Sequence, residues 1–145
     1  MFKRILLPTD GSELSMKAVR LGVDLAKSCG ASVLAIHVVP PAQTIAYVAE
    51  MIASLEFDYA KEATRHAERY LDVVRTIADK AGVPFERRLV FGSQPYQAIL
   101  ETAAEAKCDL IAMASHGWEG VARLLMGSET HKVILKSEIP ILVCR

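Results

Sequence analysis

The chain has 145 residues, 52% apolar and 23% charged, which suits a single globular domain and excludes a disordered or low-complexity chain. Its 17 basic and 17 acidic residues cancel to a formal net charge of zero, removing the usual electrostatic drive toward nucleic acid. No apolar run approaches the roughly 20 residues that span a bilayer. Neither nucleic acid nor a membrane is therefore an expected partner, and a cytoplasmic location is the default.

Arg4–Pro8 reads as a short apolar strand. Basic residues precede it, but Pro8, Thr9 and Asp10 interrupt the apolar run too early for a signal-peptide core. Asp10-Gly11-Ser12-Glu13 fits a capping box, with Asp10 capping the first helix and Glu13 reaching back. Leu14, Ala18, Leu21 and Leu25 form the apolar stripe of that helix, and Gly30 stands at its C-cap. Ser32–Val39 is a second apolar strand, of the kind buried inside a parallel sheet. Residues 40–58 look like an insertion whose Ile45, Val48, Ile52 and Leu55 give a partly helical apolar face, a lid or contact surface. Ala63, Ala67, Tyr70, Val74, Ile77 and Ala81 recur at spacings of four and three as a second helix, ended by Gly82 and Pro84.

Phe85–Phe91 alternates with Glu86 and Arg88, and charge on a strand points to a sheet edge. Ser93 is expected to cap a helix over Tyr96–Ala106, with Pro95 tolerated in its first turn. Leu110–Met113 and Ile141–Val143 are further apolar strands, and a last helix runs from about Ser128 to Ser137. The order β-α-β-α-β-α-β-α-β calls for an α/β fold, a five-stranded parallel sheet with helices on both faces. Ligands of such sheets bind beyond the carboxyl ends of the strands where the strand order reverses. If the first and fourth strands flank that point, Pro8-Thr9-Asp10-Gly11-Ser12 meets the loop between Ala114 and Gly127.

That loop is long, since strand-to-helix connections usually take roughly 2–6 residues. Ala114, Ser115, Gly117, Gly120, Gly127 and Ser128 are small enough to let backbone amides approach a ligand. The helix start behind them offers unpaired N–H groups and the positive end of a dipole, which suits phosphate. Cys29, Cys108 and Cys144 lie far apart without a CxxC pair and read as reduced, buried thiols. His37, His66 and His131 lack partners at metal-ligand spacing and read as structural or solvated, while His116 shapes the loop, donates to a phosphate or acts as an acid. The mixed charges of Arg65, Arg69, Arg87 and Arg88 with Glu62, Glu68 and Glu86 read as a solvated face.

Three segments in the right order resemble the universal stress protein family over essentially the whole chain. The nucleotide-binding members of that family carry glycine, two residues, glycine, nine residues, then glycine and serine or threonine. Here that register is Ala114-Ser115-His116-Gly117, Trp118 to Met126, and Gly127-Ser128, with Ala114 in place of the first glycine. The opening KRILLPTDGS is similar to the family's first strand and turn, and Ile36-His37-Val38 to the end of its second strand. The resemblance implies a Rossmann-like, adenine nucleotide alpha hydrolase-like three-layer sandwich that binds ATP at its carboxyl edge. It also implies a homodimer formed through the last strand, Ile139–Val143.

Carried over by position, Pro8, Thr9 and Asp10 would line the adenine and ribose side, and Val38 would supply backbone contacts to the adenine. Ala114, after Met113 at the strand end, and Gly117 would approach the phosphates, to which Gly127, Ser128 and Glu129 would offer amides and a hydroxyl. A positive φ at Ala114 would disfavour its β-carbon. Asp10 and Ser128 could each be a helix cap, a ligand contact, or both. Glu129 suits the first turn of a helix, but turned inward it would repel a terminal phosphate. Trp118 and Glu119 stand where the family often has basic residues.

There is no P-loop, no Gly-x-Ser-x-Gly elbow and no evident base paired with a nucleophile. Asp10 could hold Mg²⁺ through nucleotide or water, but one carboxylate does not specify an enzyme, so slow ATP hydrolysis is the most that is expected. The reading is a cytoplasmic, nucleotide-responsive regulator of the stress response. The alternative is a nucleotide-independent dimeric interaction module of the same fold.

Overall fold

The computed structural model describes residues 1–41, 49–118 and 126–145, with the backbone alone for residues 49–59. Its strands are β1 (Arg4–Pro8), β2 (Ser32–Val39), β3 (Phe85–Phe91), β4 (Leu110–Ala114) and β5 (Ile141–Cys144). Its helices are α1 (Glu13–Cys29), α2 (Ala49–Ala81), α3 (Pro95–Glu105) and α4 (Ser128–Lys136). The strands form one parallel sheet in the order β3-β2-β1-β4-β5, so the charged strand β3 does lie at an edge. The order reverses between β1 and β4.

Alternation along β1 builds the two cores. Ile5 and Leu7 face Val19, Val23 and Ala26 of α1 and Leu71, Val74 and Ala78 of α2. Leu6 faces the other way, with Ile99 and Ala103 of α3 and Val133 of α4. Two helices thus cover each face, which is why the interior strands are apolar throughout. Among the described residues no helix is long and apolar enough to cross a membrane.

Several boundaries differ from the sequence reading. Helix α2 begins at Ala49, so the latter part of the expected insertion is continuous with the second helix. Ile45 and Val48 lie outside the described residues, as do the side chains of Ile52 and Leu55, and with them the expected lid or contact surface. Strands β4 and β5 each extend one residue further than expected. Ala114 therefore lies within a strand, and the only non-glycine residue of positive φ among those described is Lys107.

The cap of α1 is Ser12, whose Oγ accepts from Ser15 N, and not Asp10. Gly11 has a φ of 78° and turns the chain between the two, so Asp10 precedes the helix and its Oδ1 instead accepts from Ser12 N at 2.9 Å. Gln94 is the N-cap of α3, in place of Ser93, because Pro95 occupies the first helical position. Gly127 is the N-cap of α4, which makes Ser128 its first residue. Gly30 closes α1 in a left-handed conformation as expected. Cys108 and Cys144 are buried free thiols, and Cys29 is half-buried.

Candidate functional site

The carboxyl ends of β1 and β4 diverge at the reversal point, and the loops that follow them meet over the gap. Thr9 anchors the first loop. Its N–H donates to Ile36 O at 2.9 Å, and its buried hydroxyl pairs with Ser15 Oγ at 2.9 Å while accepting from Gly11 N at 3.2 Å. The Tyr70 ring packs so closely on Gly11 that a β-carbon there would collide with it. His37 Nδ1 lies 2.7 Å from Thr9 O. A carbonyl can only accept, so Nδ1 carries the proton and His37 holds the loop to β2.

The second loop is fixed at both of its ends. Ser115 N donates to Cys144 O at 2.8 Å, and Ser115 O accepts from Gly127 N at 2.6 Å, which closes the loop on itself. A β-carbon on Gly127 would lie 3.2 Å from both Ser115 O and His116 Cα, tighter than such contacts normally are. Glycine is needed there for clearance. Thr130 Oγ1 donates to Ala114 O at 2.9 Å, tying the first turn of α4 to the end of β4. The Ala114 methyl packs with Ala18 and Cys144 in a small core of its own, so strand geometry accommodates it. His116 Nδ1 lies 3.1 Å from Ser115 Oγ and shapes the loop.

The two loops are joined through Asp10. Its Oδ2 accepts from Trp118 N at 3.2 Å, and its carbonyl accepts from the Trp118 indole N–H at 2.7 Å. Gly117 approaches so closely that any β-carbon would strike Asp10 Oδ2. Trp118 is 67% exposed yet doubly bonded, so it lies across the mouth as a bridge between loops.

Beneath the bridge lies a cleft of about 530 Å³. Pro8, Thr9, Asp10, Val38, Met113, Ala114, Gly117, Gly127, Ser128 and Glu129, the ten candidates named from the sequence, all line it. Ile36, His37, Pro40, Pro95, Ile99 and Thr130 line it as well and were not anticipated. Pro95 and Ile99 belong to α3, which reaches the cleft only through packing on the sheet, so no local motif marks them. A second hollow of about 390 Å³ adjoins the first and shares Asp10, His37, Val38, Pro40 and Trp118 with it.

The floor is apolar (Ile36, Val38, Met113) and the rims are polar, a division suited to a flat base with a charged tail. At one end stand the first three residues of α4, Ser128, Glu129 and Thr130, whose amides have no acceptor within the helix. Glu129 sends its carboxylate to the start of α3, where Oε2 accepts from Tyr96 N at 2.7 Å and Oε1 pairs with Lys132 Nζ at 3.2 Å. Among the described residues lining the cleft, Asp10 and Glu129 are carboxylates and no lysine or arginine contributes. No group of three or more His, Cys, Asp or Glu among the described residues could hold a metal ion.

A model described as the universal stress protein family matches residues 1–145. The chain belongs to this family. Universal stress protein MJ0531 of Methanocaldococcus jannaschii is 34% identical over 145 residues, covering 100% of this chain and 83% of that protein. The structure of MJ0577 from the same organism superposes with a TM-score of 0.80 at 27% identity, covering 99% of this chain and 96% of the other. A universal stress protein crystallised in complex with cAMP superposes with a TM-score of 0.68 at 25% identity, covering 98% and 95% of the two chains. The five-stranded α/β sheet of this universal stress protein is thus the family fold.

Proposed function

We propose that this universal stress protein, acting as a single domain, binds an adenine nucleotide in the cleft between β1 and β4 and responds to stress through its occupancy. ATP is the ligand that the resemblance to the family's nucleotide-binding members implies. The observation that carries the reading is the convergence of the two loops on an apolar floor that ends at the open amides of α4. Gly117 and Gly127 let the loops close on each other over the cleft, since a β-carbon would strike Asp10 Oδ2 at the first and crowd Ser115 O and His116 Cα at the second. The cAMP complex of a similar protein supports an adenine nucleotide as the ligand class.

In this reading Pro8, Thr9, Asp10 and Val38 take the base and ribose, with Asp10 accepting from a ribose hydroxyl. Met113, Ala114 and Gly117 flank the first phosphate, and Gly127, Ser128 and Glu129 present amides and a hydroxyl to the tail. Mg²⁺ would accompany the triphosphate, with Asp10 reaching it through water. Ser115 Oγ and His116 Nδ1 stand 3.1 Å apart, a contact read as shaping the loop, and occupancy rather than turnover is the proposed signal.

The protein is proposed to act in the cytoplasm as a homodimer joined through β5. This strand lies at an open edge of the sheet, and Ile141, Leu142 and Val143 are only half-buried there. Hydrogen exchange on the nucleotide-free protein tests the binding reading. Saturating ATP is expected to slow exchange at residues 9–12, 115–118 and 127–130, and unchanged exchange there would overturn it. Sedimentation tests the dimer, which a strictly monomeric species at high concentration would exclude.

A further inference from the structure

We infer that Glu129 is a specificity-determining residue, one that penalises each phosphate beyond the first and so sets how the cleft discriminates between ATP and AMP. The inference rests on the nucleotide reading above. Glu129 is the second residue of α4 and lines the cleft, so its amide, free within the helix, and its carboxylate both border the space proposed for the phosphates.

That charge is held in place by a need elsewhere in the fold. Helix α3 starts with Pro95, which has no N–H, and Gln94 makes no side-chain cap bond. Tyr96 N is thus the first amide of α3 that can donate, and Glu129 Oε2 accepts from it at 2.7 Å. Moving the carboxylate away would leave the α3 terminus without this acceptor. Lys132 offsets the charge only in part, since its side chain is 47% exposed and exposed pairs are weak.

A single phosphate is matched by the open amides of α4 and by the helix dipole, roughly half a positive charge. Further phosphate oxygens add negative charge within reach of Glu129. Among the described lining residues no lysine or arginine side chain answers it. Among the described residues, then, one side chain, its position fixed by a different helix, is placed to discriminate by phosphate number.

The test is a titration of the full chain and of Glu129→Gln with AMP and with ATP, in EDTA at low salt. The glutamine amide oxygen can still accept from Tyr96 N, so the start of α3 is preserved. ATP is expected to bind Glu129→Gln about tenfold more tightly than the parent, with AMP unchanged within about twofold, as removal of one charge near several implies. The gain should shrink in about 0.5 M salt, where screening is strong. Lys132→Gln should act in the opposite sense and weaken ATP more than AMP. Equal shifts for both nucleotides, or none for ATP, would overturn the role of Glu129 alone. No binding of either nucleotide to either protein would overturn the cleft reading and this inference with it.

Discussion

The two edges of the sheet treat their polar groups in opposite ways. At the amino edge the helix-to-strand connections are short, spanning residues 30–31, 82–84, 106–109 and 137–140. Several polar groups there are matched within the fold, Ser137 Oγ for one donating to Ile139 O and accepting from Ile139 N. Asp109 accepts from both Lys3 N and Arg4 N, at 2.8 and 3.0 Å, while its own N–H donates to Arg4 O. At the carboxyl edge the connections include residues 40–48 and 115–127. There the loops bridge one another through Asp10 and leave a cleft beneath. One edge closes the chain economically. The other presents amides and carboxylates to whatever enters.

Two aspartates carry this contrast, and exchanging each for alanine should show which edge serves binding. Asp109→Ala removes a charged acceptor shared by two backbone amides and is expected to cost about 2 kcal/mol, measured by urea unfolding, with nucleotide affinity unchanged. Asp10→Ala should affect both. Affinity for ATP is expected to fall at least about tenfold, equivalent to about 1.4 kcal/mol, beside a stability loss of up to about 2 kcal/mol from the two backbone amides its carboxylate accepts from. If Asp10→Ala unfolds the protein and Asp109→Ala abolishes binding, the contrast between the edges is wrong.

Ser12→Ala sharpens the position of the first helix start. Loss of the cap on Ser15 N should destabilise the protein by about 1 kcal/mol, visible as a lower midpoint in thermal unfolding. The smallest effect concerns the thiols. Burial pushes the Cys108 thiol above its ordinary value, whereas Cys29 is half-buried. A thiol reagent at neutral pH should therefore label Cys29 first and Cys108 only as the fold opens, which mass spectrometry can follow. Because Cys108 keeps its proton longer when folded, stability from this group holds at lower pH. It declines as pH rises past the ordinary thiol range, where the unfolded chain ionises first.

The apolar runs and helical stripes made the strands and their alternation with helices legible, because burial on both faces leaves a pattern that needs no partner to be read, while the strand order itself came from the fold. The caps were less legible. Asp10 and Ser12 are both good caps, and the choice depends on the left-handed turn at Gly11 and the Tyr70 ring seated on it. Ser93 has the better capping side chain, yet Pro95 at the first helical position makes Gln94 the cap. The ten cleft residues could be named because the family resemblance carries them over by position. The partner of Glu129 could not, since Tyr96 lies 33 residues away on another helix. The role of Trp118 is not legible in the sequence. Its bonds to Asp10 span 108 residues and come from the fold alone.

The most direct test of the central claim is calorimetric titration of nucleotide-stripped protein with Mg·ATP at two temperatures, with Asp10→Ala as the control. Saturable binding at one site per chain, weakened or lost in Asp10→Ala, is the predicted result. An absence of heat at both temperatures up to millimolar ATP would contradict it and turn the proposal to the nucleotide-independent dimer.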